Sequence, residues 1–256
     1  MPTITSNGLD IAYDDHGSGE PAFVFVHGWT CDRSFFKPQA EHFGQRHRVI
    51  TVDLRGHGES DRPGDGYSVA NYASDLAELI KQLNTGKVIA VGHSMGGQTV
   101  LQLAADRPEL VAGIVMVDPA PLSPPPEATE WLEGLVGATA AGNNEPRAGL
   151  IDSFFLPASD PQVHQRVKET MLASPNHIAA AAMQSVVDFD GPTVAGQCKV
   201  PALNIAAASP LNPPHMMQEW IPHVVNGQTV GAGHFNHLEA PVQVNAMIEA
   251  FLEHYV

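Results

Sequence analysis

Cysteine is nearly absent: the chain of 256 residues holds only Cys31 and Cys198. They form no CxxC pair, so neither a disulfide framework nor a cysteine zinc site is expected. Basic residues are also few, 13 Lys and Arg against 28 Asp and Glu, giving a formal charge of −15. Without a basic patch to displace counterions, a nucleic-acid partner is excluded as an expectation. No apolar run reaches the length of a bilayer span, so no membrane association is expected. The opening segment MPTITSNGLDIAYDD lacks a positive region followed by an apolar stretch, which argues against a signal peptide and for a cytoplasmic protein. Hydrophobic residues at 43% and charged residues at 16% give an ordinary globular balance rather than a disordered one.

Short apolar runs rich in β-branched residues occur at Phe23–Val26, Val49–Val52, Val88–Val91 and Ile114–Val117. None alternates, as suits strands buried on both faces. Between them, Val69 to Leu83 carries apolar residues at helical spacing, and Gln98 to Ala105 continues helically until Pro108. Strands alternating with helices predict an α/β fold with a doubly wound, mostly parallel sheet. The rhythm breaks after Ala120. Helical patterns follow around Trp131–Val136, Arg147–Phe155, Val163–Leu172 and His177–Val187, with Pro124-Pro125-Pro126 and Gly142-Asn143-Asn144 as punctuation. Strand signals return at Ala202–Ala206 and weakly at Val224–Val230, before a last helix from Val242 to His254. The expected organisation is a core of residues 1–119 and 193–256, interrupted by a helical insertion at 120–192.

Gly92-His93-Ser94-Met95-Gly96 is a G-x-S-x-G sequence directly after a buried strand and before a helix. A turn tight enough to present a serine hydroxyl there leaves no room for neighbouring side chains, hence the glycines. The following helix N-terminus would favour a developing oxyanion. A serine hydroxyl needs a base, and an imidazole titrating near neutrality is the residue type for that task.

On these residues the sequence resembles the α/β-hydrolase family, over nearly its whole length. His27-Gly28-Trp29 is similar to the family's oxyanion loop and Asp53–Ser60 to the loop after its next strand. Gly92–Gly97 is similar to the nucleophile elbow, and Gly233-His234 lies where the catalytic histidine belongs. The resemblance implies Ser94 as nucleophile and His234 as base. The backbone N–H groups of Trp29 and Met95 would hold the oxyanion, and the insertion would be a cap. One departure stands out. The family usually carries its acid after the penultimate strand, where this chain has Ser209 followed by Pro213. Some branches place it one strand earlier, which falls on Asp118; Asp188, Asp190 or a serine–histidine dyad are the alternatives.

Other residues are weighed around this frame. Trp29, His93, Phe154 and Phe155 are expected to contact substrate, and Trp131, Leu135, Met171 and Met183 to help build an apolar roof. Cys31 is expected near the pocket but not as nucleophile, and His57 as a structural hydrogen-bonding residue. His234-xx-His237 alone is no metal signature, and no metal or cofactor is expected. The implied activity is hydrolysis of a carboxylic ester, lactone or related acyl bond in a small apolar substrate. A cofactor-free dioxygenase of N-heteroaromatic compounds, a perhydrolase-type haloperoxidase and a non-catalytic ligand receptor share these motifs.

Overall fold

The computed structural model describes residues 2–256. The strands are β1 Thr3–Ser6, β2 Leu9–His16, β3 Ala22–Val26, β4 Val49–Val52, β5 Val88–His93, β6 Val111–Val117, β7 Ala202–Ala206 and β8 Val225–Gln228. The helices are α1 Lys37–Phe43, α2 Val69–Gln82, α3 Met95–Asp106, α4 Pro126–Ala140, α5 Glu145–Ser153, α6 Pro161–Ala173, α7 Asn176–Val187, α8 Gly191–Gln197, α9 Pro214–Trp220, α10 Asn236–Glu239 and α11 Pro241–Tyr255. The strands form one sheet in the order β1-β2-β4-β3-β5-β6-β7-β8. From β4 to β8 all pairings are parallel, while β2 runs antiparallel to β1 and β4. The α/β sheet expected from the apolar runs is therefore present.

The antiparallel edge was not anticipated, although its turn is written at Asn7-Gly8. Both residues have positive φ, 50° and 81°, and join Ser6 to Leu9 as a two-residue hairpin. The unalternating runs are explained by burial on two faces. Val24, Ala90 and Met116 pack in the cluster that includes residues of α2 and α3, while Phe23, Phe25, Val91 and Val115 pack with residues of α1 and α11. No helix of the described residues is long and apolar enough to cross a membrane.

From β3 the chain moves outward to β4, then returns past β3 to β5. The loops leaving β3 and β5 thus part at a topological switch point, where such sheets open a crevice at the strands' carboxyl ends. Five helices, α4 to α8, fall between β6 and β7. Arg55 and Asp75 brace the loop after β4 with paired bonds, Nε to Oδ2 at 2.6 Å and Nη2 to Oδ1 at 2.7 Å, joined by Ser6 Oγ at 2.6 Å.

Buried histidines brace the same loops. His27 sits at the end of β3 with Nδ1 2.8 Å from the Gly28 carbonyl, while Nε2 accepts the Leu54 N–H at 3.0 Å. These partners fix one neutral tautomer. His57 Nδ1 lies 3.0 Å from the Arg55 carbonyl. Among the described residues His237 has no hydrogen-bond partner on either ring nitrogen, and it packs against Phe36 and His93. Burial pushes the imidazole pKa down to about 4 for His27 and about 3 for His57 and His237.

The folded state thus refuses protons that the unfolded chain accepts below the ordinary value of 6.5. Stability is fully present above pH 6.5 and is lost as pH falls towards 4, each histidine contributing up to about 1.4 kcal/mol per pH unit. Urea midpoints should fall steeply between pH 7.5 and pH 5. The His237→Phe variant, which removes one such group from a ring-lined site, should fall less steeply; an unchanged slope would contradict this assignment.

Candidate active site

Ser94 stands between β5 and α3 with φ 53° and ψ −118°, a conformation that L residues rarely adopt. The strain persists because the surroundings admit nothing else. A Cβ on Gly92 would strike the Gly96 carbonyl, and one on Gly96 would strike the Val26 carbonyl at the end of β3. Gly97 is also held close to Pro119, 2.7 Å from where its Cβ would stand. Close packing of α3 on β3 and β5 therefore requires the glycines, and the serine takes the strained corner between them.

Asp118 ends β6 and also has positive φ, 38°, with only 1% of its surface exposed. Its Oδ2 lies 2.6 Å from His234 Nδ1, and its Oδ1 accepts the Ala207 N–H at 3.1 Å. The first contact puts the imidazole proton on Nδ1 and leaves Nε2 with a free lone pair. His234 is 6% exposed. Its backbone is held as firmly as its ring: its N–H donates to the Phe154 carbonyl at 2.8 Å, and its carbonyl accepts from His93 Nε2 at 2.9 Å. His93 is fully buried, and desolvation drives its pKa well below the usual value, so it acts here as a neutral donor.

Ser209, at the position where the family's usual acid was expected, is exposed. Asp188 and Asp190 are exposed too; Asp188 takes a bond from Gln184 and Asp190 caps α8. Among the carboxylates weighed from sequence, the structure brings only Asp118 to His234.

A cavity of about 100 Å³ opens over the serine, lined by Ser94, His234, His93, Trp29, Cys31 and Phe154 together with apolar side chains of α4 to α7. Among the described residues, the backbone N–H groups of Trp29 and Met95 make none of the loop and turn hydrogen bonds. They remain as donors at the carboxyl ends of β3 and β5. The Trp29 indole is anchored from outside, donating to the Ala179 carbonyl of α7 at 2.7 Å.

Three expectations about the lining, at Phe155, Trp131 and Leu135, need correction. Phe155 is not on the cavity wall; its ring stacks between His164, at 4.4 Å, and Phe235, at 5.5 Å. Trp131 is 49% exposed and roofs nothing. Leu135 is buried among the helices but lies outside the lining, whereas Met171 and Met183 belong to it.

Several supporting residues escaped the sequence reading. Asn212 donates to the Pro119 and Ala120 carbonyls at 2.7 and 3.1 Å and accepts the Leu122 N–H at 2.8 Å, tying the loop after β7 to the segment leaving Asp118. The pattern of proline around it gave the only hint. Asp53, in the loop already singled out from sequence, has its pKa raised by burial and receives the Arg33 and Glu59 N–H groups and the Arg33 guanidinium, which fix that loop. Arg147 is completely buried, and no sequence signal marked it.

Comparison with known proteins agrees with this architecture. The model of the alpha/beta hydrolase fold matches residues 21–241. A 2-(acetamidomethylene)succinate hydrolase of Mesorhizobium japonicum is 41% identical over 129 residues, 50% of this chain and 45% of that protein. A non-heme haloperoxidase of Rhodococcus erythropolis is 41% identical over 107 residues, 41% of this chain and 39% of that protein. The matched stretch thus spans less than half the length of these curated relatives. Among solved structures, a thermophilic esterase from Thermogutta terrifontis superposes with a TM-score of 0.86 at 27% identity, covering 98% of this chain and 96% of the esterase. With the family model matched from β3 to the start of α11, the chain belongs to the α/β-hydrolase family.

Proposed function

We propose that the protein is a serine hydrolase that cleaves a carboxylic ester, lactone or related acyl bond through an acyl-enzyme on Ser94. The observation that carries this reading is the 2.6 Å contact of His234 Nδ1 with Asp118, in a cavity whose wall also holds Ser94 on its strained turn. Ser94 Oγ attacks the acyl carbon as His234 Nε2 takes its proton. The negative oxygen lies against the N–H groups of Trp29 and Met95. His234 then protonates the leaving group, and in the second half-reaction it activates the water that releases the acid. Asp118 holds the ring in the required tautomer and faces the imidazolium as it forms.

In this reading residues 120–192 are a cap over a core of 1–119 and 193–256. The substrate is small and apolar, because Leu132, Leu150, Met171, Met183 and Val186 surround a cavity of only about 100 Å³. Perhydrolysis is the second reading, favoured by the similarity to a haloperoxidase. It uses the same acyl-enzyme, with hydrogen peroxide replacing water as acceptor.

Fluorophosphonate labelling and turnover of p-nitrophenyl esters test the reading. Ser94→Ala should abolish labelling. Asp118→Asn should lower kcat by about 10⁴-fold, while Ser209→Ala should leave it within about twofold. A protein that labels but turns over no ester would point to a binding role, and oxygen uptake with an N-heteroaromatic compound to the dioxygenase.

Chain length gives a second check. Acetate and butyrate esters should exceed octanoate in kcat/KM. Met183→Ala should narrow that gap by making room for added methylenes, each worth about 0.8 kcal/mol when buried. An octanoate preference in the unaltered protein would refute the cavity assignment.

A further inference from the structure

Residues 147–154, the body of α5 and its C-terminal Phe154, touch both catalytic loops at once. Arg147 and Phe154 are seven positions apart, so they share one helix face about 10 Å apart. At the far end, the Phe154 carbonyl accepts the His234 N–H at 2.8 Å, and its ring lies 4.4 Å from the imidazole, tilted by 38°. Gly233 records how close this approach is. Its φ lies outside the left-handed region, so its backbone would tolerate a side chain, yet a Cβ would strike the Phe154 carbonyl. Space reserved for the inserted helices, rather than turn geometry, accounts for that glycine.

At the near end, Arg147 lies over the Trp29 ring, its guanidinium carbon 5.5 Å from the centroid. Its other contacts are the carbonyls of Met171 and Ser174, and its Nε is unpartnered. No carboxylate pairs with it among the described residues, and burial lowers its pKa to about 10. A buried cation without an anion costs stability that a methionine of similar volume would not. What the guanidinium supplies in exchange is a cation on the face of the tryptophan whose N–H belongs to the proposed oxyanion site. Between the ends, Leu150 lines the cavity and Ile151 is buried.

We propose that α5 is a positioning bar: Arg147 sets the oxyanion loop through Trp29 and Phe154 sets the imidazole of His234. Seating of the cap and alignment of the catalytic groups are then a single equilibrium. The inference rests on the hydrolase reading for its kinetic consequences but not for its geometry. Both ends are positioning residues, acting through Trp29 and His234.

The test uses the full-length protein and two readouts. In p-nitrophenyl acetate hydrolysis, Arg147→Met should lower kcat about tenfold or more while KM stays within about threefold, because Arg147 lies outside the cavity lining and a small displacement of a catalytic group is enough. Independently of activity, the low-field proton resonance of His234 Nδ1–H should broaden in Phe154→Leu and in Gly233→Ala, and persist in Phe154→Tyr, which keeps the ring. If Arg147→Met is too unstable to assay, Phe154→Leu, which nearly conserves volume, decides by its resonance. Unaltered kcat in Arg147→Met, a change confined to KM, or an unaltered resonance in Phe154→Leu and Gly233→Ala would overturn the proposal. Failure of the unaltered protein to label or turn over would sink the hydrolase reading alone, since the resonance still reads the contact with α5.

Discussion

The strained corner at Ser94 is the constraint on which the rest of the site depends. A residue at φ 53° costs roughly 1–3 kcal/mol. It stays there because α3 must begin immediately after β5 while pressing against the end of β3. Gly92 and Gly96 allow that approach at the level of the backbone. The sheet order then does the remaining work. With β3 and β5 adjacent and their crossovers leaving in opposite directions, the Trp29 loop and the Ser94 turn face each other across the crevice. Gly28 belongs to the same contact, since a Cβ there would stand 3.1 Å from the Ser94 Cβ.

The position of the acid follows from the same geometry. Strands β6 and β7 are neighbours, so their carboxyl ends can offer a carboxylate to one imidazole from either side. Here the carboxylate that meets His234 is Asp118, at the end of β6. The loop after β7 turns inward at Ala207 and donates its N–H to Asp118 Oδ1, while Asn212 fastens the chain on both sides. Asp118 pays for this with its own positive φ. Two strained residues, Ser94 and Asp118, thus stand at the ends of two adjacent strands, and the ladder fixes their separation through the pairing of His93 with Val117.

Much of this was legible because burial leaves a plain mark on sequence. Strands covered on both faces must be continuous apolar runs, and a glycine-flanked serine between strand and helix has few other uses. The contact of Asp118 with His234 was reachable by noticing that Ser209 could not carry charge. The edge hairpin was missed because β1 has only four residues and β2 buries only Ile11, Ala12 and Tyr13 between aspartates, so neither offers a long apolar run, although Asn7-Gly8 encoded the turn. Phe155 and Trp131 were misplaced because helical spacing tells which residues share a face, not which partner that face meets. Phe155 found a ring stack with His164 and Phe235, and Trp131 found solvent. Arg147 was illegible for a related reason: a charged residue in a helix reads as surface until tertiary packing encloses it.

The thirteen histidines show how environment separates roles that composition cannot. Five are buried among the described residues: His27, His57, His93, His234 and His237. His27, His57 and His93 direct a ring nitrogen at a backbone carbonyl, and His237 directs neither at any partner. A carbonyl accepts a proton bond but cannot balance a positive ring, so desolvation prevails and these four remain neutral braces. His234 alone of the five faces a carboxylate. In the proposed reaction the imidazole becomes charged and then neutral again, which calls for a carboxylate in a fixed place. Asp118, held by Ala207 at one oxygen and by the backbone ladder at its N–H, is a carboxylate whose place is fixed. The neighbouring neutral rings matter to this arrangement as well: His93 lies 4.6 Å from His234, and a positive ring there would repel an imidazolium at His234.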